Sequence, residues 1–278
     1  MDYLKIYEEE HIKNGLSYSE IRRKYNIPRG TWDYHVRKVG RKNADLRKHR
    51  CNDSFFDVMD SEIKAYLLGF LYADGYIAKD GRIGVLLNEK DEEIIKLIQE
   101  FIAPNSEIVH VNYQNFKRDS QVKIRFKSKQ IYKRLLDYGF TTDKTHSECN
   151  ILCKIPSHLK RHFVRGYCYG DGSVRYDEHH SKRNPRIFWV SLGLVFCNGT
   201  ATILRDIQDF LQIQGRLVKK ENYFHLDYWK QQDLIVIYTL LYTDCTYYLQ
   251  RKYKNAMNSL NYCNNTELRR EPKEFLTV

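Results

Sequence analysis

The stretch L-L-G-F-L-Y-A-D-G at residues 67–75 has a near copy further along the chain, V-R-G-Y-C-Y-G-D-G at residues 164–172. Each copy carries a glycine five residues before its aspartate and a second small residue four positions after that glycine. Because positions four apart share one face of an α-helix, each copy predicts a helix with a strip of small residues. Glycine within a helix costs roughly 1 kcal/mol relative to alanine, and close packing of two backbones along these strips offsets that cost.

Packing of the two strips against each other predicts that Asp74 and Asp171 emerge side by side at the C-terminal ends of both helices. A helix C-terminus is partly negative, so two carboxylates placed there are repelled by the helix ends and by each other. Hard divalent cations such as Mg²⁺ relieve this repulsion, and they bind through one or two carboxylates, water and substrate phosphate. The repeat therefore predicts a metal site that faces a phosphodiester.

At these two motifs the chain resembles the LAGLIDADG homing endonucleases in their single-chain form, over about residues 60–260. One apolar helix that ends in Asp-Gly is usually a core helix with a glycine stop, but here two aspartates 97 residues apart each open a similar pattern. The chain departs from the family at Tyr72 and Tyr169, where an acid is common, and at Arg165, which replaces a small apolar residue. The resemblance implies a site-specific endonuclease that hydrolyses one phosphodiester in each strand of double-stranded DNA with Mg²⁺ or Mn²⁺.

The resemblance also assigns roles to single residues. The implied metal ligands are two side chains and the backbone carbonyl before each of them, namely Asp74, Asp171, Ala73 and Gly170. In the family a basic residue near each metal commonly stabilises the charge on the leaving group. By position, the candidates for this catalytic role are Lys144 in the first half and Lys252 or Arg251 in the second.

Composition and charge are compatible with this reading. A chain of 278 residues with 42% hydrophobic content can bury a large core, as one large and one small domain or as two domains. No run approaches the roughly 18 apolar residues of a membrane span, and the first ten residues lack a signal pattern, so we expect a cytoplasmic protein. A formal net charge of +11 favours a polyanionic partner.

The charge is concentrated near the N-terminus. Eleven lysines or arginines and only two acids lie between Arg22 and Arg50, which gives this segment a net charge of +9. Its pattern predicts a helix over 4–13, a second one from Ser17 or Ser19 to about residue 25, a turn at 26–28, and a third helix over 29–39 closed by Gly40. The segment resembles the small helix-turn-helix domains of resolvases and phage regulators.

By that resemblance, one face of the third helix would enter the major groove of DNA, with the contact residues Thr31, Trp32, Tyr34, His35, Arg37 and Lys38. The alternative for this segment is a basic helical hairpin that only improves solubility. We therefore predict a helix-turn-helix DNA-binding domain over residues 1–50, followed by an endonuclease domain over residues 51–278 with halves at about 60–150 and 156–260.

Each motif is followed by the same order of predicted elements: hairpin, helix, hairpin, helix. The expected fold class is α+β, and the family resemblance implies two pseudo-symmetric αββαββα halves that form a DNA-binding saddle behind the small all-α domain. An extra polar loop at 177–185 is expected to interrupt the first hairpin of the second half. The protein is expected to be a monomer that acts as a pseudo-dimer on double-stranded DNA.

Cationic strand residues are expected to bind the DNA backbone. In residues 122–127, apolar and basic residues alternate, so one sheet face is predicted to be core and the other positive. The predicted contacts on strands are Lys123, Arg125 and Lys127 in the first half and Lys219 and Lys220 in the second.

Two other functions stay open. His146, Cys149, Cys153, His158 and His162 include Cys-x3-Cys and His-x3-His pieces that suggest zinc, although only four residues separate the pairs. The main alternative to a nuclease is a LAGLIDADG protein that has lost cleavage and acts as a DNA-binding regulator or an intron maturase. The presence of both motif aspartates argues against that loss.

Overall fold

The computed structural model of the protein describes residues 1–42, 51–111, 119–142, 150–183 and 188–265, without the side chains of 37 and 39–42. The N-terminal segment is helical as expected, with α1 (Tyr3–Ile6) continuing into a π-helical stretch (Tyr7–Lys13), followed by α2 (Tyr18–Lys24) and α3 (Arg29–Lys42). Ser17 caps α2 through a capping box with Glu20. Gly40 does not end the third helix as predicted, because α3 continues to Lys42.

This segment has a hydrophobic cluster of its own, which buries Tyr7, Ile21, Ile27, Trp32 and Val36. The rest of the core forms a second cluster that extends through both halves of the remaining chain.

The two halves repeat one architecture, which confirms the predicted fold class. The elements of the first half are α4 (Glu62–Asp74), β1 (Tyr76–Ile77), β2 (Arg82–Asn88), α5 (Glu92–Phe101), β3 (Ile108–Val111), β4 (Gln121–Lys127) and α6 (Lys129–Tyr138). Those of the second half are α7 (Lys160–Asp171), β5 (Gly172–His180), β6 (Phe188–Asn198), α8 (Thr202–Leu211), β7 (Arg216–Lys219), β8 (Phe224–Tyr228), α9 (Gln231–Tyr242) and α10 (Gln250–Asn264). Both sheets are antiparallel, and their strand orders, β1-β2-β4-β3 and β5-β6-β8-β7, correspond strand by strand.

Close packing of α4 on α7 joins the halves, as the strips of small residues predicted. A Cβ atom added to Gly69 would lie 2.1 Å from the Phe163 carbonyl oxygen, and one added to Gly166 would lie 2.0 Å from the Tyr66 carbonyl oxygen. These distances are far below van der Waals contact, so no larger residue fits at either position without separating the helices. The two glycines therefore set the spacing of the halves.

A buried ion pair reinforces this junction and explains the arginine in the second motif. Arg165 is fully buried and donates hydrogen bonds to the Glu62 carboxylate at 2.6 Å, the Leu241 carbonyl at 2.7 Å and the Tyr247 carbonyl at 2.9 Å. The same Glu62 oxygen accepts the backbone N–H of Thr246 at 2.8 Å. Arg165 thus ties the start of α4 in the first half to the connection between α9 and α10 in the second.

His162 lies beside this ion pair and makes stability depend on pH. It is 5% exposed, and its Nε2 accepts a hydrogen bond from Arg161 at 3.2 Å. Burial, followed by the charge of Arg165, lowers the pKa of His162 to about 4 from its usual 6.5. Between these two values the unfolded chain binds a proton that the folded chain does not, so stability falls as the pH falls through this window.

We expect this group to lower the free energy of unfolding by up to about 3 kcal/mol between pH 7 and pH 4. Urea denaturation at several pH values in this range, on the wild type and on His162→Gln, measures the contribution. Carboxylates other than Glu62, which lies 3.7 Å from Nδ1 of His162, affect both proteins alike, so the difference in slope reports His162 together with its contact to Glu62. Equal slopes would contradict the assignment.

The first four residues of the expected extra loop of the second half are strand. β5 continues to His180 and β6 begins at Phe188, so residues 177–180 extend the hairpin and do not interrupt it, while residues 184–187 lie outside the described ranges. Within those ranges, no helix has the length and apolar character needed to span a membrane.

Candidate functional site

Asp74 and Asp171 are the last residues of α4 and α7, and the glycine after each lets the chain leave the helix at once. A Cβ atom on Gly75 would lie 2.5 Å from the Leu71 carbonyl oxygen, and one on Gly172 would lie 2.5 Å from the Cys168 carbonyl oxygen. Both glycines have negative φ angles, so close approach of the backbone, and not a left-handed conformation, explains each Asp-Gly pair. Each aspartate is thereby placed at the start of a hairpin.

The packing of the helices brings the two motif ends together. A Cβ atom on Gly170 would lie 2.4 Å from the Ala73 Cβ and 3.1 Å from Oδ2 of Asp74. The carboxylate of Asp74, from the first half, therefore lies against the residue that precedes Asp171 of the second half. Both aspartates are only partly buried, and Asp171 lines a cavity.

The oxygen atoms around the two aspartates are suitable ligands for a hard divalent cation. Two partly buried carboxylates and the neighbouring carbonyls supply oxygen atoms only, and Mg²⁺ usually takes one or two protein carboxylates and completes its shell with water and phosphate. A group of three or more His, Cys, Asp or Glu residues able to hold a metal does not occur among the described residues. Of the suggested zinc ligands, His146 and Cys149 lie outside the described residues, and Cys153 is exposed whereas His162 is buried.

A cavity of about 390 Å³ lies beside Asp171 and is lined by both halves, including Tyr72, Ala73, Thr141, Asn198 and Asn222. The Asn198 side chain donates a hydrogen bond to the Tyr167 hydroxyl at 2.9 Å and accepts the Thr200 N–H at 3.0 Å.

Asn198 was missed in the sequence analysis, although the repeat carries a signal for it. An asparagine ends the second strand of each half, Asn88 in β2 and Asn198 in β6. The signal is the spacing to the next helix, because each asparagine lies four residues before the first residue of the helix that follows, α5 or α8.

Lys252, one of the basic residues predicted to stabilise the charge on the leaving group, is buried beneath the end of α7. Its ammonium donates hydrogen bonds to the carbonyls of Cys168 at 2.9 Å, Tyr169 at 2.9 Å and Gly172 at 2.7 Å. These bonds occupy all three of its N–H donors. Burial lowers the pKa of Lys252. In this arrangement Lys252 stabilises the backbone on both sides of Asp171.

Lys252→Met is expected to destabilise the protein by about 3 kcal/mol, because it leaves partly buried carbonyls without their charged donor. The turn that carries Asp171 should loosen as a result. Lys254→Met, two residues away and exposed, is the matched control and should stay within about 0.5 kcal/mol of the wild type. Chemical denaturation of both variants is the measurement, and wild-type stability of Lys252→Met would show that these hydrogen bonds do not hold the turn in place.

The other two basic candidates differ from Lys252. Arg251 forms a bidentate salt bridge with Asp91 at 2.6 and 2.8 Å, which links α10 to the start of α5 in the first half. Lys144 lies outside the described residues.

The first sheet has the predicted cationic face. Lys123, Arg125 and Lys127 of β4 alternate with Val122, Ile124 and Phe126, which are at most 4% exposed. Arg82 of β2 pairs with Lys127 and adds a fourth cation to the outward face.

In the second sheet, the predicted cation Lys219 of β7 does not lie on the outward face. Lys219 pairs with Phe224 and shares the core-side face of Leu217, and its ammonium lies 5.9 Å from the Phe224 ring. Lys220 is exposed after the strand ends. Arg216, which was not among the predicted contacts, is the β7 cation on the outward face.

On α3, the prediction that Trp32 contacts DNA is wrong, because this side chain is fully buried in the N-terminal cluster. Tyr34 is 58% exposed, and the ammonium of exposed Lys38 lies 5.2 Å from its ring. His35 stacks on Tyr3 with ring centroids 4.0 Å apart. Thr31 is partly buried, and the side chain of Arg37 lies outside the described residues.

Comparison with solved structures identifies the fold. The LAGLIDADG meganuclease I-AabMI bound to uncleaved DNA aligns with 75% of this chain and 93% of its own, at 14% identity and a TM-score of 0.51. The meganuclease I-SmaMI bound to uncleavable DNA aligns with 75% of this chain and 94% of its own, at 14% identity and a TM-score of 0.52. No protein-family model matches the sequence, and no curated protein matches it significantly. The chain therefore has the single-chain LAGLIDADG fold.

Proposed function

We propose that this protein is a site-specific, metal-dependent DNA endonuclease that cuts one phosphodiester in each strand of its target. The observation that carries the proposal is the pair of aspartates, Asp74 and Asp171, held together by backbone-to-backbone packing of the two motif helices. The two structural neighbours described above are meganucleases bound to DNA. Repulsion between the paired carboxylates is a cost that a structural role would not require, and divalent cations remove it.

In this proposal Asp74 and Asp171 hold the cations, with the carbonyls of Ala73 and Gly170 as further ligands. Bound cations would polarise a phosphoryl oxygen and lower the pKa of the attacking water. Lys252 keeps the turn around Asp171 in place. Because each half carries one aspartate, each half acts on one strand.

The outward sheet faces would lie along the duplex on either side of the aspartates. In the first half Arg82, Lys123, Arg125 and Lys127 form a face suited to the phosphate backbone. The second half contributes Arg216. Since one chain supplies both halves, the active form is a monomer that acts as a pseudo-dimer, and sedimentation of the DNA complex should give one chain per duplex.

We further propose that residues 1–50 are a helix-turn-helix domain that binds DNA next to the cleavage site. The exposed residues of α3, Tyr34 and Lys38 above all, and the net charge of +9 between Arg22 and Arg50 support this role. Protein that begins at residue 51 should cut the same bond but protect a shorter stretch of DNA with lower affinity. An unchanged footprint and affinity would refute the proposal for this segment.

Incubation of the full chain with a library of long DNA duplexes tests the central proposal. With Mg²⁺ or Mn²⁺ we expect one family of sequences to be cut in both strands, and EDTA should prevent cutting. Sequence-specific binding without any cut product, with either metal, would instead favour the cleavage-deficient regulator or maturase. Absence of binding to any duplex would refute both functions.

A further inference from the structure

The first hairpin of the second half is much longer than its counterpart in the first. The pairing of β5 with β6 runs from Gly172–Phe196 to His180–Phe188, whereas that of β1 with β2 ends at Ile77–Ile83. His180 lies nine residues after Asp171, and Ile77 lies three after Asp74. The second hairpin thus reaches six residues further from its aspartate, or about 20 Å at about 3.3 Å per residue.

The outer part of this hairpin is a two-stranded ribbon. β8 pairs with β6 only over 194–198, so the β6 residues from Gly193 outward to Phe188 pair with β5 alone. α10 supports the base of the ribbon, where the Asn255 side chain donates a hydrogen bond to the Val174 carbonyl at 2.9 Å. A two-stranded ribbon has the width that the major groove of B-DNA admits.

The outward face of the second sheet carries two of the three tryptophans of the chain. Trp189 is 50% exposed and Trp229 is 46% exposed, whereas Trp32 is buried in the N-terminal cluster. The Trp189 ring stacks on His179, with centroids 5.4 Å apart and planes at 18°, and His179 in turn bonds to the Ser191 hydroxyl at 3.1 Å. Trp189 is therefore an exposed aromatic side chain with a fixed orientation near the tip of the ribbon.

The charge on the two outward faces also differs. The strand positions on that face of the first sheet include four cations, Arg82, Lys123, Arg125 and Lys127. Arg82 and Lys127 share one acid, Asp80, at 2.8 and 3.8 Å, so this face keeps an excess of positive charge. On the ribbon, the one strand cation on this face, Arg175, is paired with Asp177 at 2.6 Å. A face that is aromatic and locally neutral suits the edges of bases better than it suits phosphates.

We propose that the β5–β6 ribbon enters the major groove and reaches further from the cleavage site than the β1–β2 hairpin reaches on the opposite side. In that outer part of the groove, Trp189 recognises a thymine methyl group. This inference rests on the proposed function. It makes the two half-sites unequal, with about six more base pairs read on the second side, at the 3.4 Å rise of B-DNA.

The test uses the full chain and the target selected from the duplex library. A hydroxyl-radical footprint without divalent metal should extend further from the cleavage site on one side, and changes of single base pairs in that extension should reduce cleavage. Replacing the contacted thymine by uracil removes one methyl group and should weaken binding about fourfold. Trp189→Ala should weaken binding at least about tenfold and abolish the difference between thymine and uracil.

Trp189→Phe should retain part of the discrimination between thymine and uracil. Leu136→Ala, which removes another exposed apolar side chain from α6, is the matched control and should change neither footprint nor discrimination. A chain that cuts its target within a symmetric footprint, or a Trp189→Ala variant that still distinguishes thymine from uracil, overturns this inference alone. A chain that binds no duplex overturns the proposed function and this inference with it.

Discussion

Asp74→Asn is expected to reduce double-strand cleavage by at least about 1000-fold, equivalent to about 4 kcal/mol of transition-state stabilisation, while DNA affinity stays the same or rises. Asparagine keeps the shape of the side chain but removes the charge that would hold the cation. It also removes a negative charge that faces phosphate, so binding is not weakened. Asp171→Asn should behave in the same way, because the two halves place their aspartates equivalently.

Cleavage of a supercoiled plasmid that contains the target provides the measurement. The linear product should disappear in both variants, and any nicked circle reports how independently the other half acts. Asp209→Asn, an exposed aspartate on α8, controls for the general effect of the substitution. Linear product formed at the wild-type rate by either motif variant would refute the metal-ligand assignment.

Gly166→Ala is expected to destabilise the protein by about 3 kcal/mol. The added methyl group would lie 2.0 Å from the Tyr66 carbonyl oxygen and 3.0 Å from the Phe70 backbone nitrogen, and backbone atoms of a helix cannot rotate away. The gain in helix propensity, roughly 1 kcal/mol, is smaller than the cost of overpacking a rigid contact. Because α4 and α7 must separate, the aspartates at their ends move apart, and cleavage should fall even in the folded fraction.

Gly30→Ala is the matched control, since Gly30 is also in a helix but has no atom within 4 Å of an added Cβ. It should be neutral or stabilising by up to about 1 kcal/mol. Denaturant unfolding of both variants, together with cleavage assays under folding conditions, distinguishes the two positions. Similar stability of the two variants would show that the motif glycines are not needed for close packing.

Several features of the fold could be predicted because they depend on local patterns. The start of the second helix at Ser17, one of the two serines predicted as its cap, follows from capping, and the alternation in β4 and the repeated element order follow from pleat and periodicity. The burial of Trp32 could not be predicted, since a helical position alone does not say which face meets a neighbouring helix. The side of the sheet on which Lys219 lies could not be predicted for a similar reason. It depends on the register of β7 against β8, which no local pattern sets.

The sequence by itself determined the junction of the two halves, because glycine at 69 and 166 is the one residue type that allows this backbone approach, and the aspartates follow at fixed helical spacing. Only the tertiary structure decided what surrounds the aspartates: the carbonyls that hold Lys252, the partner of Arg165, the cavity beside Asn198 and the unequal hairpins. These contacts join residues far apart in sequence, and their geometry depends on how whole elements pack. Spacing along the chain does not contain that information.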